Sequence, residues 1–146
     1  MAIQQAHAVW KGNLKQGEGN ITLGSGGIEI PYDFDSRFEN GRSSNPEELI
    51  GGAHAGCFSM ALAHTLGTEG FQPTYIYTTA NVHLEKGHDG FSITQIDLET
   101  EADVPEIDEA LFQECAQAAK ENCPVSRLFA AARITLQATL LSHQQV

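Results

Sequence analysis

Between Tyr75 and Glu85 polar and apolar positions alternate, with Ile76, Thr78, Ala80, Val82 and Leu84 on one side and Tyr77, Thr79, Asn81, His83 and Glu85 on the other. A period of two is the mark of a half-buried strand. Lys86-Gly87-His88-Asp89-Gly90 supplies a turn. A second strand, Phe91 to Glu101, slips phase between Ile93 and Ile96, which predicts a bulge. Ile134 to Leu141 reads as a last strand, with Ile134, Leu136, Ala138 and Leu140 inward. Nearer the start, the short runs AHAVWKG, GNITLG and GIEIPYDF are separated by Gly17 to Gly19 and by Ser25-Gly26-Gly27, the pattern of a small antiparallel meander.

Two stretches follow a helical period instead. Asn45-Pro46-Glu47-Glu48 has the chemistry of a helix start: Asn as N-cap, Pro at the first helical position and Glu three residues after the cap to close a capping box. The helix is predicted from about Pro46 to Leu66, ending at Gly67 or Gly70. Small or apolar residues occupy nearly every face of it, so it should be buried or packed between two partners. Gly51 and Gly52 each cost about 1 kcal/mol relative to Ala inside a helix, so close backbone packing or a kink is expected there. Pro105 to Glu121 carries Ile107, Leu111, Cys115 and Ala118 at helical spacing. Pro124 cannot lie inside that helix but suits the first position of a new one, which places Cys123 at the edge of a short helix reaching about Phe129.

No repeat or low-complexity linker interrupts these elements, and 146 residues with 41% apolar content suit one domain that folds without metal or disulfide staples. With 8 Lys and Arg against 19 Asp and Glu, the net charge of −11 repels phosphate backbones and anionic membranes. Nucleic acid and membrane are therefore not expected as partners. The start MAIQQAHAVWKG lacks the charged opening and apolar run of a secretory signal, so a cytoplasmic location is expected.

Three cysteines are too few and too widely spaced for a disulfide framework, which leaves reactivity or packing. Cys115 lies on an apolar stripe and reads as structural. Cys123, at a helix N-terminus, is either a thiol poised to ionise or a buried cap. Cys57 sits in mid-helix, where burial raises a thiol pKa, so a nucleophilic role requires a cation from another segment. Arg37 and Arg42 are the nearest in sequence. Glu47, Ile50, His54 and Cys57 share one helical stripe. A Cys57-His54 pair admits a hydrolase reading, which predicts ester cleavage sensitive to His54 and indifferent to Cys123. His7, His64, His83, His88 and His143 form no ligand cluster, and no metal or cofactor is expected.

The segment Asn45-Pro46-Glu47-Glu48-Leu49-Ile50-Gly51-Gly52-Ala53-His54-Ala55-Gly56-Cys57-Phe58-Ser59-Met60-Ala61-Leu62, with Asn122-Cys123-Pro124-Val125-Ser126, resembles the OsmC/Ohr family of organic hydroperoxide reductases, and its OsmC branch in particular. Pro31-Tyr32-Asp33-Phe34 and Arg37-Phe38-Glu39 add to the likeness, while Gly52 and Gly56 stand where relatives usually have Ala. The resemblance implies an α+β fold of antiparallel sheets packed around long central helices, and an intertwined homodimer. It implies that Cys57 is the peroxidatic cysteine, Cys123 the resolving cysteine, Arg37 the activating arginine and Glu47 the acid that holds it. It also implies an organic hydroperoxide as substrate and an external dithiol or dihydrolipoyl-type reductant.

Ten residues from Glu47 to Cys57 span about 15 Å of helix, too far for this carboxylate to reach the thiol on its own helix. Two helices packed antiparallel across a twofold axis would close that gap, so an active site built from both subunits is expected. Phe58, Met60, Leu128 and Phe129 neighbour the cysteines in sequence and suggest an apolar approach that favours alkyl or lipid hydroperoxides. A non-catalytic peroxide sensor or ligand-binding module on the same fold is the competing reading, distinguished by the absence of sustained turnover.

Overall fold

The computed structural model describes residues 2–24, 26–39 and 41–141, so Ser25 of the expected turn and His143 lie outside the described residues. The chain forms two compact units, Met1–Leu49 and Ile50–Val146.

In the first unit, strands β1 (Ala6–Lys11), β2 (Glu18–Leu23) and β3 (Ile28–Tyr32) form the expected antiparallel meander in the order β1-β2-β3. The rings of Trp10 and Tyr32 meet at 5.4 Å between centroids across β2. Gly19 lies under them, and a Cβ at that position would sit 2.7 Å from both rings, so the stack requires a residue without one. Helix α1 (Phe34–Phe38) starts where the Asp33 carboxylate accepts the Ser36 N–H at 2.8 Å. The Asn45 side-chain amide donates to Ser36 O at 2.8 Å, tying the loop back to α1.

Helix α2 (Pro46–Thr68) opens as expected, with Asn45 Oδ1 accepting the Glu48 N–H at 2.7 Å. The Glu48 carboxylate accepts from Ser44 Oγ at 2.7 Å, one residue before the cap predicted from the sequence. Within the second unit only one stripe of α2 is buried: Gly51, His54, Phe58, Leu62 and Leu66, at steps of three and four. Gly52, Ala53, Gly56 and Met60 are exposed, so of the two expectations, burial within the chain or packing between partners, the first does not hold for these faces. A Cβ on Gly51 would meet Val82 Cγ2 at 3.3 Å and Ala80 O at 3.4 Å, whereas one on Gly52 or Gly56 would meet nothing within 4 Å. Close packing therefore explains one of the adjacent glycines and not the other.

The second sheet has the order β4-β5-β6, from β4 (Tyr75–Gly87), β5 (Gly90–Asp103) and β6 (Arg133–Leu140). The predicted bulge is present: His83 faces Gln95 and Leu84 faces Ile93, leaving Thr94 as the extra residue. The α+β class holds, but β6 runs parallel to β5, with Ile96 opposite Ile134, so this sheet is mixed and not antiparallel throughout. A parallel neighbour needs a crossover of a dozen residues or more. Helices α3 (Glu109–Asn122) and α4 (Pro124–Leu128) make that crossover.

Helix α3 begins at Glu109, four residues later than predicted, because Glu106 has a left-handed φ of 72° and Asp108 caps the Leu111 N–H at 2.7 Å. With Ile107 outside the helix, its phase is set by Phe112, Cys115, Ala116 and Ala119, the buried residues of α3. They join Phe58, Leu62, Leu66, Ile96 and Leu98 in the core, where each large side chain contributes about 1.5–3 kcal/mol through burial. Cys115, 2% exposed, is part of that core, as expected. Burial, followed by the nearby Glu69 and Glu114, raises its thiol pKa. Among the described residues no helix is long and apolar enough to cross a membrane.

Candidate functional site

Folding brings Cys57 and Cys123 together. Pro124 starts α4, which fixes Cys123 as its N-cap with the side chain wholly buried. Cys57 reaches it from the middle of α2 and is partly exposed. Cys57 packs against the core that holds Cys123, with the main-chain N–H of Val125 also nearby. Both cysteines are free, so the pair is a dithiol. Burial, and after it the Cys123 side chain, pushes the Cys57 thiol above its ordinary range against the opposing pull of Val125. A thiol in these surroundings stays protonated near neutrality unless a positive charge joins it.

Arg37 and Glu47 form a second pair, in the first unit. Arg37 Nε donates to Glu47 Oε1 at 2.9 Å and Nη2 donates to Oε2 at 3.0 Å. This is the two-point geometry a guanidinium offers a carboxylate. The Glu47 side chain is 11% exposed and that of Arg37 37%, so the acid is largely buried while the guanidinium keeps a face toward solvent. Arg37 also lies 5.2 Å from the centroid of the Phe38 ring.

Beside the dithiol, His54 Nε2 and Ser126 Oγ are 2.7 Å apart and both residues are buried. The Phe129 ring meets the imidazole edge-on at 5.7 Å. Burial lowers the His54 pKa, so the ring is neutral near pH 7. His54 is thus engaged by a serine, and the groups that act on the Cys57 thiol are Cys123 and Val125, which leaves the hydrolase dyad without support.

Of the residues expected to form the apolar approach, Leu128 and Phe129 line a pocket of about 180 Å³ with Ile50, Ile93 and Ile96, and the other two do not. Phe58 is fully buried on the core side of α2 and Phe129 packs against His54, while Met60 and Leu128 are each 76% exposed. Residues adjacent in a helix point about 100° apart, so nearness to Cys57 in sequence did not place Phe58 beside it in space. In the first unit, Trp10, Leu14, Tyr32, Asp33, Phe34, Arg37, Phe38 and Pro46 line a cleft of about 220 Å³. Sequence reasoning missed Trp10, Leu14, Phe34 and Phe38; the available signal was the aromatic spacing around Arg37 in Tyr32-Asp33-Phe34 and Phe38. Among the described residues no group of three His, Cys, Asp or Glu side chains is arranged to hold a metal ion.

The OsmC-like protein family matches residues 39–138 of the chain. Peroxiredoxin OsmC of Escherichia coli (strain K12) is 50% identical over 139 residues, covering 94% of this chain and 95% of its own, and so is Peroxiredoxin OsmC of Shigella flexneri. Among solved structures, an OsmC-like protein of unknown function from Vibrio cholerae superposes with a TM-score of 0.77 at 15% identity, over 94% of this chain and 99% of that one. The organic hydroperoxide resistance protein OhrB of Bacillus subtilis does so with a TM-score of 0.67 at 23% identity, over 96% and 100%. At those identities the structures speak for the fold. The chain belongs to the OsmC family.

Proposed function

We propose that the protein is a thiol-dependent peroxidase that reduces organic hydroperoxides to alcohols. The observation that carries this reading is the Cys57–Cys123 contact, a dithiol assembled from two elements 66 residues apart with one sulfur partly open to solvent. The kinship with proteins named peroxiredoxin supports peroxide-linked redox chemistry.

In the first step the Cys57 thiolate attacks the O–O bond, the hydroperoxide leaves as alcohol after taking a proton, and Cys57 becomes a sulfenic acid. Cys123 then condenses with it, releasing water and leaving a disulfide. An external dithiol returns the pair to its reduced state by exchange. Since the groups around Cys57 raise its pKa, a cation must complete the site, and the Arg37–Glu47 pair is the one we assign. Glu47 holds the guanidinium flat, and Arg37 lowers the thiol pKa and hydrogen-bonds the peroxide. The pair is contributed by the second subunit of a homodimer, in accord with the ten helical residues between Glu47 and Cys57. The cleft beside Arg37, walled by Trp10, Tyr32, Phe34 and Phe38, suits the alkyl group of the substrate.

The test is steady consumption of tert-butyl hydroperoxide by the full chain with dithiothreitol as reductant, followed by peptide mapping of a Cys57–Cys123 link. Sustained turnover is expected. A single equivalent consumed without further turnover would instead make the protein a sensor.

A further inference from the structure

We propose that the buried His54–Ser126 hydrogen bond is a clasp that sets the spacing of the two sulfurs, making His54 and Ser126 positioning residues for disulfide formation; this rests on the reading of Cys57 and Cys123 given above. Helices α2 and α4 meet in two rungs. One is the Cys57–Cys123 thiol contact and the other is His54 Nε2 to Ser126 Oγ at 2.7 Å. His54 lies three residues before Cys57 and Ser126 three residues after Cys123, so each rung is one helical turn from the other on both elements.

The five-residue α4 is too short to hold its own orientation, because most helical stability at that length comes from tertiary contacts. The Cys123 N–H bonds Ala119 O at 2.9 Å and anchors one end, and Ser126 on His54 anchors the other. His54 is 0% exposed, and its Nδ1 has no hydrogen-bond partner, so the bond to Ser126 is the polar contact that fixes the ring. Packing alone would be served equally well by an apolar pair, since replacing both partners of a buried hydrogen bond by apolar groups is close to neutral. A polar pair adds direction and a fixed distance.

That distance matters for one step. In the condensation, Cys123 Sγ attacks Cys57 Sγ, the S–S bond forms as the S–O bond breaks, and the oxygen departs as water with the proton of the Cys123 thiol. The electrons that reduced the peroxide come from the two thiols. The product needs Cα atoms about 4.4–6.8 Å apart and a dihedral near 90°, so a small swing of α4 stops it.

The experiment compares the full wild-type chain with Ser126→Ala, Ser126→Thr and the apolar double variant His54→Phe/Ser126→Ala. After a single equivalent of tert-butyl hydroperoxide, the Cys57 sulfenic acid is trapped with a cyclic dione and the disulfide is quantified by mass mapping. Ser126→Ala should form the sulfenic acid within about twofold of the wild-type rate, yet close the disulfide at least about tenfold more slowly. Ser126→Thr should restore closure, while the double variant should unfold at the wild-type temperature and still close slowly. Wild-type closure in Ser126→Ala or in the double variant, or equal slowing of both steps, would overturn the clasp.

A second measurement needs no peroxide. In a dithiothreitol redox buffer the disulfide equilibrium constant of Ser126→Ala should fall at least about tenfold. If that shift occurs but the wild type does not consume hydroperoxide, the proposed function fails and the clasp stands. An unchanged constant, or no Cys57–Cys123 disulfide in any buffer, overturns the clasp.

Discussion

Glu47 grips Arg37 at two points, with Oε1 on Nε at 2.9 Å and Oε2 on Nη2 at 3.0 Å. The carboxylate belongs to the first turn of α2 and the guanidinium to α1, so the pair locks a flexible side chain to a rigid helix. Glu47→Gln keeps the shape but offers a single neutral acceptor. Its kcat/KM for alkyl hydroperoxide should fall roughly 10- to 100-fold, the size of one charge-assisted hydrogen bond. Stability should change by only about 1 kcal/mol, because Arg37 is partly exposed and water screens the pair. Steady-state kinetics and thermal unfolding of the same preparation check both outcomes.

The three cysteines should separate cleanly. Cys57→Ser abolishes turnover, and Cys123→Ser consumes one equivalent of hydroperoxide per chain and then stalls. Cys115→Ala keeps turnover and loses about 1–2 kcal/mol, since Cys115 is a small buried side chain of the core. A burst assay and a denaturant titration read these results.

Substrate choice should follow the cleft beside Arg37. Leu14 lines it while remaining 59% exposed, so Leu14→Ala alters the wall with little effect on folding. KM for cumene hydroperoxide should rise by roughly 5-fold, in keeping with about 1 kcal/mol for lost apolar contact. The response to hydrogen peroxide, which has no alkyl group to bury, should not change. Equal shifts for both substrates would remove the cleft from the mechanism.

The two neighbouring glycines of α2 should differ in response to Ala. Gly52→Ala meets open space and should stabilise by about 0.5–1 kcal/mol through helix propensity. Gly51→Ala presses on Val82 and the Ala80 carbonyl, and should gain nothing or lose stability. Paired urea titrations decide it.

Acid stability offers a test remote from the dithiol. Hydrogen bonds from Thr135 first, then Gln95 and His83, lower the Asp97 pKa from 3.8 to about 2. A depressed carboxylate stabilises the fold above its unfolded pKa, and that stability is lost as pH falls from about 4 towards 2. In Asp97→Asn, melting temperature should depend less on pH across this window than in the wild type.

Much of this architecture was legible in residue order because local physics specified it. Asn45 and Pro46 marked the start of α2, Pro124 marked that of α4, and the phase slip at Ile93 and Ile96 marked the bulge at Thr94. The start of α3 was not legible, since Asp108 overrode a periodicity that ran back to Ile107. The parallel pairing of β6 was missed because strand direction depends on the path of the crossover and leaves no trace in alternation. Among the candidate site residues, Cys57, Cys123, Arg37 and Glu47 stood out through the resemblance of their segments to the OsmC/Ohr family. His54 read as a packed core residue, since its partner Ser126 lies 72 residues away. The cleft around Arg37 was missed because β1, the loop after it, β3, α1 and the start of α2 converge there from separate parts of the chain.

The sequence distance between the two neighbouring cysteines also bears on how the protein is made. Cys57 leaves the ribosome 66 residues ahead of Cys123, several seconds at about 5–20 residues per second. During that delay Cys57 lacks both Cys123 and, in the proposed site, the guanidinium of a second subunit, so it stays a protonated thiol of low reactivity. Chains synthesised under oxidant load should therefore carry no more irreversible damage at Cys57 than mature chains exposed to the same dose.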